Sequence, residues 1–136
     1  RCCMRKATEE WLISAQDDLG TIAEIVDNPQ LTHVVAFHAQ QCLEKTLKAI
    51  LEDREEEIPH LHNLVTLNER AGDPLETGKD LDVLDRLNAG FSPEENRRWR
   101  TPSCFSELHV VITSRSVSVW RTNRRRTAPG LRTFFI

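Results

Sequence analysis

No run of about 18 apolar residues occurs in the 136-residue chain, so a transmembrane helix is not expected. The N-terminal "RCCMRKATEEW" has no apolar signal core, which predicts a chain that is not exported and works in the cytoplasm without a membrane. Four cysteines occur, Cys2, Cys3, Cys42 and Cys104, but no CxxC pair. That spacing argues against a zinc site or a disulfide scaffold and reads the thiols as buried or incidental in a reducing compartment. The five glycines are scattered, so there is no Gly-rich phosphate loop, and no Ser-His-Asp pattern is present. His60-x-His62 lacks a third nitrogen or sulfur ligand at helical spacing, so neither a metal nor a cofactor is expected. Met4 is the only methionine, and the "RCC" before it reads as a tag remnant or as sequence upstream of the natural start.

What is present is enough for one small core-forming domain, with 39% hydrophobic and 29% charged residues. The net charge of −3 conceals an asymmetry. Residues 1–91 hold 9 Lys+Arg against 18 Asp+Glu, whereas residues 92–136 hold 9 Arg, no Lys and 3 Glu. This shift divides the chain into a helical segment, 5–91, and a basic, atypical segment, 92–136.

In the first segment, Thr8 reads as the cap of a helix in which Trp11, Ala15, Leu19, Ile22 and Val26 recur every three or four residues. Asn28-Pro29 ends it, and a second helix is expected over Leu31 to Asp53 with Ala36, Ala39, Leu43, Leu47 and Ile50 as its core stripe. "DREEEIPHLHN" is a polar, solvated connection that Pro59 keeps from being helical. "NLVTLNERAG" is a short helix stopped by Gly72, and "TGKDLDVLDRLNAG" another, with Thr77 and Asp80 at capping-box spacing, Leu81, Leu84 and Leu87 inward, and Gly90 as terminator. "SPEENRRWR" can open one further helical turn, ended by Pro102. The prediction is an all-α, up-down bundle of four to five helices, two of them long and antiparallel, with an irregular C-terminal tail. Two long helices cannot bury both faces in so small a unit, so another long helix or a second copy is expected to cover the rest.

Candidate chemistry concentrates on the second helix. His38, Gln41, Lys45 and Lys48 are spaced 3, 4 and 3 apart, one face of a helix turned away from the apolar stripe. The lysines can meet phosphates, and Gln41 and His38 can hydrogen-bond a base or sugar edge. The plain alternative is a solvated face, with Glu44–Lys48 an ordinary i,i+4 pair worth about 0.3–0.5 kcal/mol. A third possibility makes the line a dimer seam. Asp17 and Asp18 lie on neighbouring faces and do not form an acid/base pair, His62 points inward to anchor its loop, and Asn63 acts as a turn or cap residue.

"WLISAQDDLGTIAEIV", "FHAQQCLEKTLKAIL" and "IPHLHNLVTL", in that order, together resemble the HEPN domain, named for higher eukaryotes and prokaryotes nucleotide-binding. The Pro-x-x-His-Asx-Leu element falls on Pro59, His62, Asn63 and Leu64, and the resemblance spans roughly residues 8–90. It implies a bundle of four or five helices that forms a homodimer, often beside a minimal nucleotidyltransferase in a toxin–antitoxin pair. On this reading His38, Gln41, Lys45, Lys48 and His62 contact nucleotide, nucleic acid or the nucleotidyltransferase partner, without catalysis.

The alternative implied by the resemblance is a metal-independent endoribonuclease toxin, which carries an Arg, four to six residues, then a His, usually on a late helix. Arg54 and His60 match the spacing but lie in the loop after the second helix with Glu55, Glu56 and Glu57 between them. Three carboxylates oppose the approach of RNA. The tail departs from the family's regular last helix: residues 92–136 are rich in Arg, Ser and Thr, "VVITSRSVSVW" favours strand, and "RTNRRRTAPGLRTFFI" has no helical period. This suggests a frameshifted or degenerate replacement of that helix; the alternatives are a disordered tail and a basic arm for RNA or anionic lipid.

Overall fold

The computed structural model describes residues 5–74 and 78–89. Among them all regular structure is helical: α1 (Lys6–Ile25), a 3-10 turn (Pro29–Leu31), α2 (Thr32–Asp53), α3 (Leu64–Arg70) and α4 (Gly78–Asn88). The fold is an all-α helical bundle, as the periodicities predict. The expectations for Thr77, Gly90, the side chains of Asp80 and Leu81, and the whole of 92–136 lie outside the described residues.

α1 begins two residues before the expected cap. Thr8 is fully buried within the helix, and Arg5 stands at the N-cap in an extended conformation without a side-chain cap. The cause is docking. The Arg5 guanidinium donates to the Glu52 carbonyl at 3.1 Å and lies 3.6 and 3.7 Å from the carboxylates of Glu52 and Glu55. It thereby adds a side-chain donor to a terminal carbonyl of α2 that also accepts from the Glu55 N–H at 3.1 Å. The start of α1 thus meets the end of α2, and the two long helices run antiparallel. The inward side of α1 is Thr8, Leu12, Ala15, Asp18 and Ile22, with Leu19 and Val26 half-buried beside it. The predicted stripe is buried at Ala15 and Ile22 and packs against the core at Leu19 and Val26, while Thr8, Leu12 and Asp18 widen the inward side beyond it.

Asn28 closes the reversal: its side-chain oxygen accepts from the Gln30 N–H at 3.0 Å, with Pro29 in the first position of the 3-10 turn. α2 then runs through the centre of the bundle. All five predicted stripe residues are buried, and so are Val35, Cys42, Thr46, Ala49 and Leu51. α2 is enclosed on more than one side because α1, α3 and α4 all pack against it.

The short helices cover the rest of the stripe. Asn63 caps α3 by accepting from the Thr66 N–H at 3.1 Å. Gly72, with φ of 82°, ends it as expected, and an added Cβ there would come within 3.3 Å of the Arg54 guanidinium. Leu84 and Leu87 of α4 join Ile22, Val35, Ala36, Ala39, Leu43 and Leu64 in one core, while Leu47, Ile50, Leu51, Leu67 and Ala71 form a second. Asn88 ties α4 to the start of α3, accepting from the Leu64 N–H at 2.8 Å and donating to the Asn63 side chain at 3.2 Å.

Candidate functional site

The polar line of α2 is not a solvated face. It lies along the seam with α1, and two buried carboxylates organise it. The first is Asp18, on the inward side of α1. Its Oδ1 is 2.9 Å from His38 Nδ1 and its Oδ2 accepts from Lys45 Nζ at 2.7 Å. His38 and Lys45 are two helical turns apart, so one carboxylate reaches both from the facing helix. Asp17, the neighbour of Asp18, is exposed, so the two acids do occupy different faces.

The second carboxylate is Glu44. Its Oε1 accepts from Lys48 Nζ at 2.8 Å and lies 3.0 Å from His62 Nδ1, and its Oε2 accepts from Gln40 Nε2 at 3.2 Å. Gln40 also donates to the His62 carbonyl at 3.4 Å, and Gln41 donates to the Gln40 side-chain oxygen at 2.7 Å. Lys48 lies 5.6 Å from the centroid of the Trp11 ring on α1. The Glu44–Lys48 pair is therefore not an ordinary surface pair: its side chains are 7% and 8% exposed. Packing of α1 over this part of α2 removed it from water.

Burial pushes the Glu44 carboxyl up, but the hydrogen bonds from Lys48 and His62, with their charges, outweigh it and hold the carboxyl below its ordinary value of 4.5. Each histidine presents Nδ1 to a carboxylate oxygen, so Nδ1 carries the proton and Nε2 is left as an acceptor when the ring is neutral. The two rings differ in exposure, 24% for His38 against 80% for His62. The expectation that His62 points inward is overturned: its side chain is 80% exposed, because the loop rests on the surface of α2, and only its backbone carbonyl and Nδ1 tie the loop to that helix.

Of the residues singled out from sequence, the structure joins His38 with Lys45, and Lys48 with His62; Gln41 lies between them on α2. Arg54 and His60 are both exposed, and among the described residues no hydrogen bond or ion pair joins them. The partners that sequence reasoning passed over are Asp18, Gln40 and Trp11, while Glu44 was read only as an ordinary surface partner of Lys48. One signal was available: Asp18 sits three residues after Ala15 and four before Ile22, an acid on an apolar stripe, which demands a partner on the helix it faces.

A family model described as HEPN domain matches residues 8–93, a span that contains all four helices after the first two residues of α1. The chain belongs to the HEPN domain family. No curated protein and no solved structure matches it. HEPN domains are nucleotide- or RNA-associated helical modules, and the bundle described above is such a module in fold. Among its described residues no helix is long and apolar enough to cross a membrane.

Proposed function

We propose that this HEPN module binds nucleotide or nucleic acid along the outer edge of the α1–α2 seam and acts as a homodimer with a nucleotidyltransferase partner in a toxin–antitoxin-like system. The contacts fall to His38, Gln41, Lys45 and His62. Lys48 lies beneath them and supports the arrangement. One observation carries the reading: Asp18 holds an imidazole and an ammonium group side by side, at 2.9 and 2.7 Å, while both keep about a quarter of their side-chain surface in solvent. Groups fixed in this way lose little freedom when a ligand arrives. Ile13, Phe37 and Leu61 are each more than 40% exposed, apolar surface that a second copy would cover in the dimer.

The test is equilibrium binding of labelled single-stranded RNA and of free nucleotides to the wild type and to a His38→Ala/Gln41→Ala variant. Affinity is expected to fall about tenfold or more in the variant while its melting curve stays close to wild type. Equal affinity in both proteins would remove these residues from the site. Sedimentation analysis checks the dimer, and co-purification checks a nucleotidyltransferase encoded beside it. The endoribonuclease reading with Arg54 and His60 has no support in the geometry. RNA cleavage that persists in EDTA and disappears in His60→Ala would replace the binding reading.

A further inference from the structure

The proposed site contains four fixed charges, and they cancel. Asp18 stands against Lys45 and Glu44 against Lys48, each ammonium already 2.7–2.8 Å from a carboxylate oxygen. A phosphate approaching Lys45 would have to displace Asp18 or sit beside its charge. Lys48 is 8% exposed, between Glu44 and the Trp11 ring, and offers less still. The surroundings still lean negative: Asp17 is exposed next to Asp18, and Glu55, Glu56 and Glu57 are exposed in the loop that carries His62, against the exposed Arg54 and the Arg5 guanidinium 3.7 Å from Glu55. Such a field disfavours polyphosphate.

What the site offers instead is hydrogen-bond acceptance. With Nδ1 of His38 and His62 committed to the carboxylates, each neutral ring keeps Nε2 as an acceptor. Gln41 spends one N–H on Gln40 and retains its carbonyl oxygen. A ligand suited to such a face donates hydrogen bonds and carries little charge there. We infer that the HEPN module recognises the nucleoside part of its ligand, the ribose hydroxyls and base N–H groups, and that phosphate contributes little to its affinity. The inference rests on the reading of this seam as a binding site and names the chemical class that the site takes. Asp18 and Glu44 are then positioning residues: they fix the histidine tautomers and cancel the lysine charges.

The experiment is calorimetric titration of the full chain with adenosine, guanosine, cytidine and uridine, and with the 5′-monophosphate and 5′-triphosphate of each, at about 50 and about 300 mM salt. For whichever base binds, the triphosphate is expected to bind within about threefold of the nucleoside at both salt concentrations, since no counterion-releasing contact forms. A triphosphate preference of about thirtyfold or more that fades with salt overturns the inference and leaves the binding reading standing. Absence of binding by every compound overturns the inference, and the binding reading falls with it when labelled single-stranded RNA also fails to bind.

Two variants sharpen the result. Asp18→Asn removes the charge that cancels Lys45 and is expected to raise the ratio of triphosphate to nucleoside affinity about tenfold, an effect that loss of structure alone would not produce. Should Asp18→Asn fail to fold, Lys45→Gln serves instead. It is expected to weaken nucleoside and triphosphate alike, and a selective loss of triphosphate affinity would show that Lys45 contacts phosphate after all.

Discussion

Asp18 and Glu44 solve the same problem in different places. Each is a buried carboxylate that receives one lysine ammonium and one histidine Nδ1. Asp18 joins two helices, and the His38 and Lys45 side chains that it holds keep 24% and 22% of their surface. Glu44 joins a helix to the following loop, and its lysine is 8% exposed. Water can therefore stand in for Asp18 at His38 and Lys45, but it reaches Lys48 poorly. The contrast teaches that a shared hydrogen-bond pattern does not imply a shared energetic role. How much of each cation water can recover decides what loss of the carboxylate costs.

The largest expected effect follows directly. Glu44→Leu leaves the Lys48 ammonium buried and unpaired, and urea denaturation should give a loss of about 3–5 kcal/mol. Asp18→Ala should cost about 1–2 kcal/mol, because its partners can rehydrate. Equal losses at the two positions would break the comparison. Glu44→Leu combined with Lys48→Met should recover most of the single-variant loss, since removing both partners of a buried pair is often near neutral. If the double variant is as unstable as Glu44→Leu, the lysine charge is not the source of the penalty.

A smaller effect appears in acid. The Glu44 carboxyl is held below 4.5 in the folded chain, so folding favours its charged form. That contribution is fully present above about pH 4.5 and is lost as pH falls through the lowered folded value. Glu44→Gln removes it. Melting temperature plotted against pH should therefore fall less steeply below about pH 4.5 in this variant than in the wild type. Parallel acid limbs would assign the wild-type acid sensitivity to other carboxylates.

The helices were legible because their periodicities and punctuation agree: the Asn28-Pro29 stop, the Asn63 cap and the Gly72 terminator each act as read. The start of α1 was misread because Thr8 is a good cap in isolation, whereas Arg5 is held at the N-cap position by the far end of α2, a tertiary contact with no local signature. The polar line of α2 was legible as a line but not as a seam. Periodicity gives the angular position of a residue on its own helix and not which neighbour covers that angle. Lys48 projects from the polar side and is still buried, since α1 brings Trp11 over it. Reading α1 and α2 together would have helped: an acid on an apolar stripe of one helix and a His/Lys pair two turns apart on the next make a matched set.

The smallest expected effect tests the open end of the Glu44 cluster. His62 is 80% exposed, so its bond to Glu44 competes with water on one side. His62→Ala should cost about 0.2–1 kcal/mol of global stability, in the range of exposed pairs. Its local consequence is larger in proportion. The loop before α3 is held to α2 through this ring and through the 3.4 Å bond from Gln40 to the His62 carbonyl, a long hydrogen bond. With the ring gone, that bond is the hydrogen bond left from α2 to His62, while the start of the loop stays tied by the Glu56 N–H to the Leu51 carbonyl at 3.0 Å. Amide hydrogen exchange should then quicken in residues 60–63 while the interior of α2 exchanges at the wild-type rate, since opening the loop leaves the Glu44–Lys48 pair intact. Faster exchange throughout α2 would mean that Glu44 depends on His62 as much as on Lys48, and that the loop belongs to the same cooperative unit as the buried pair.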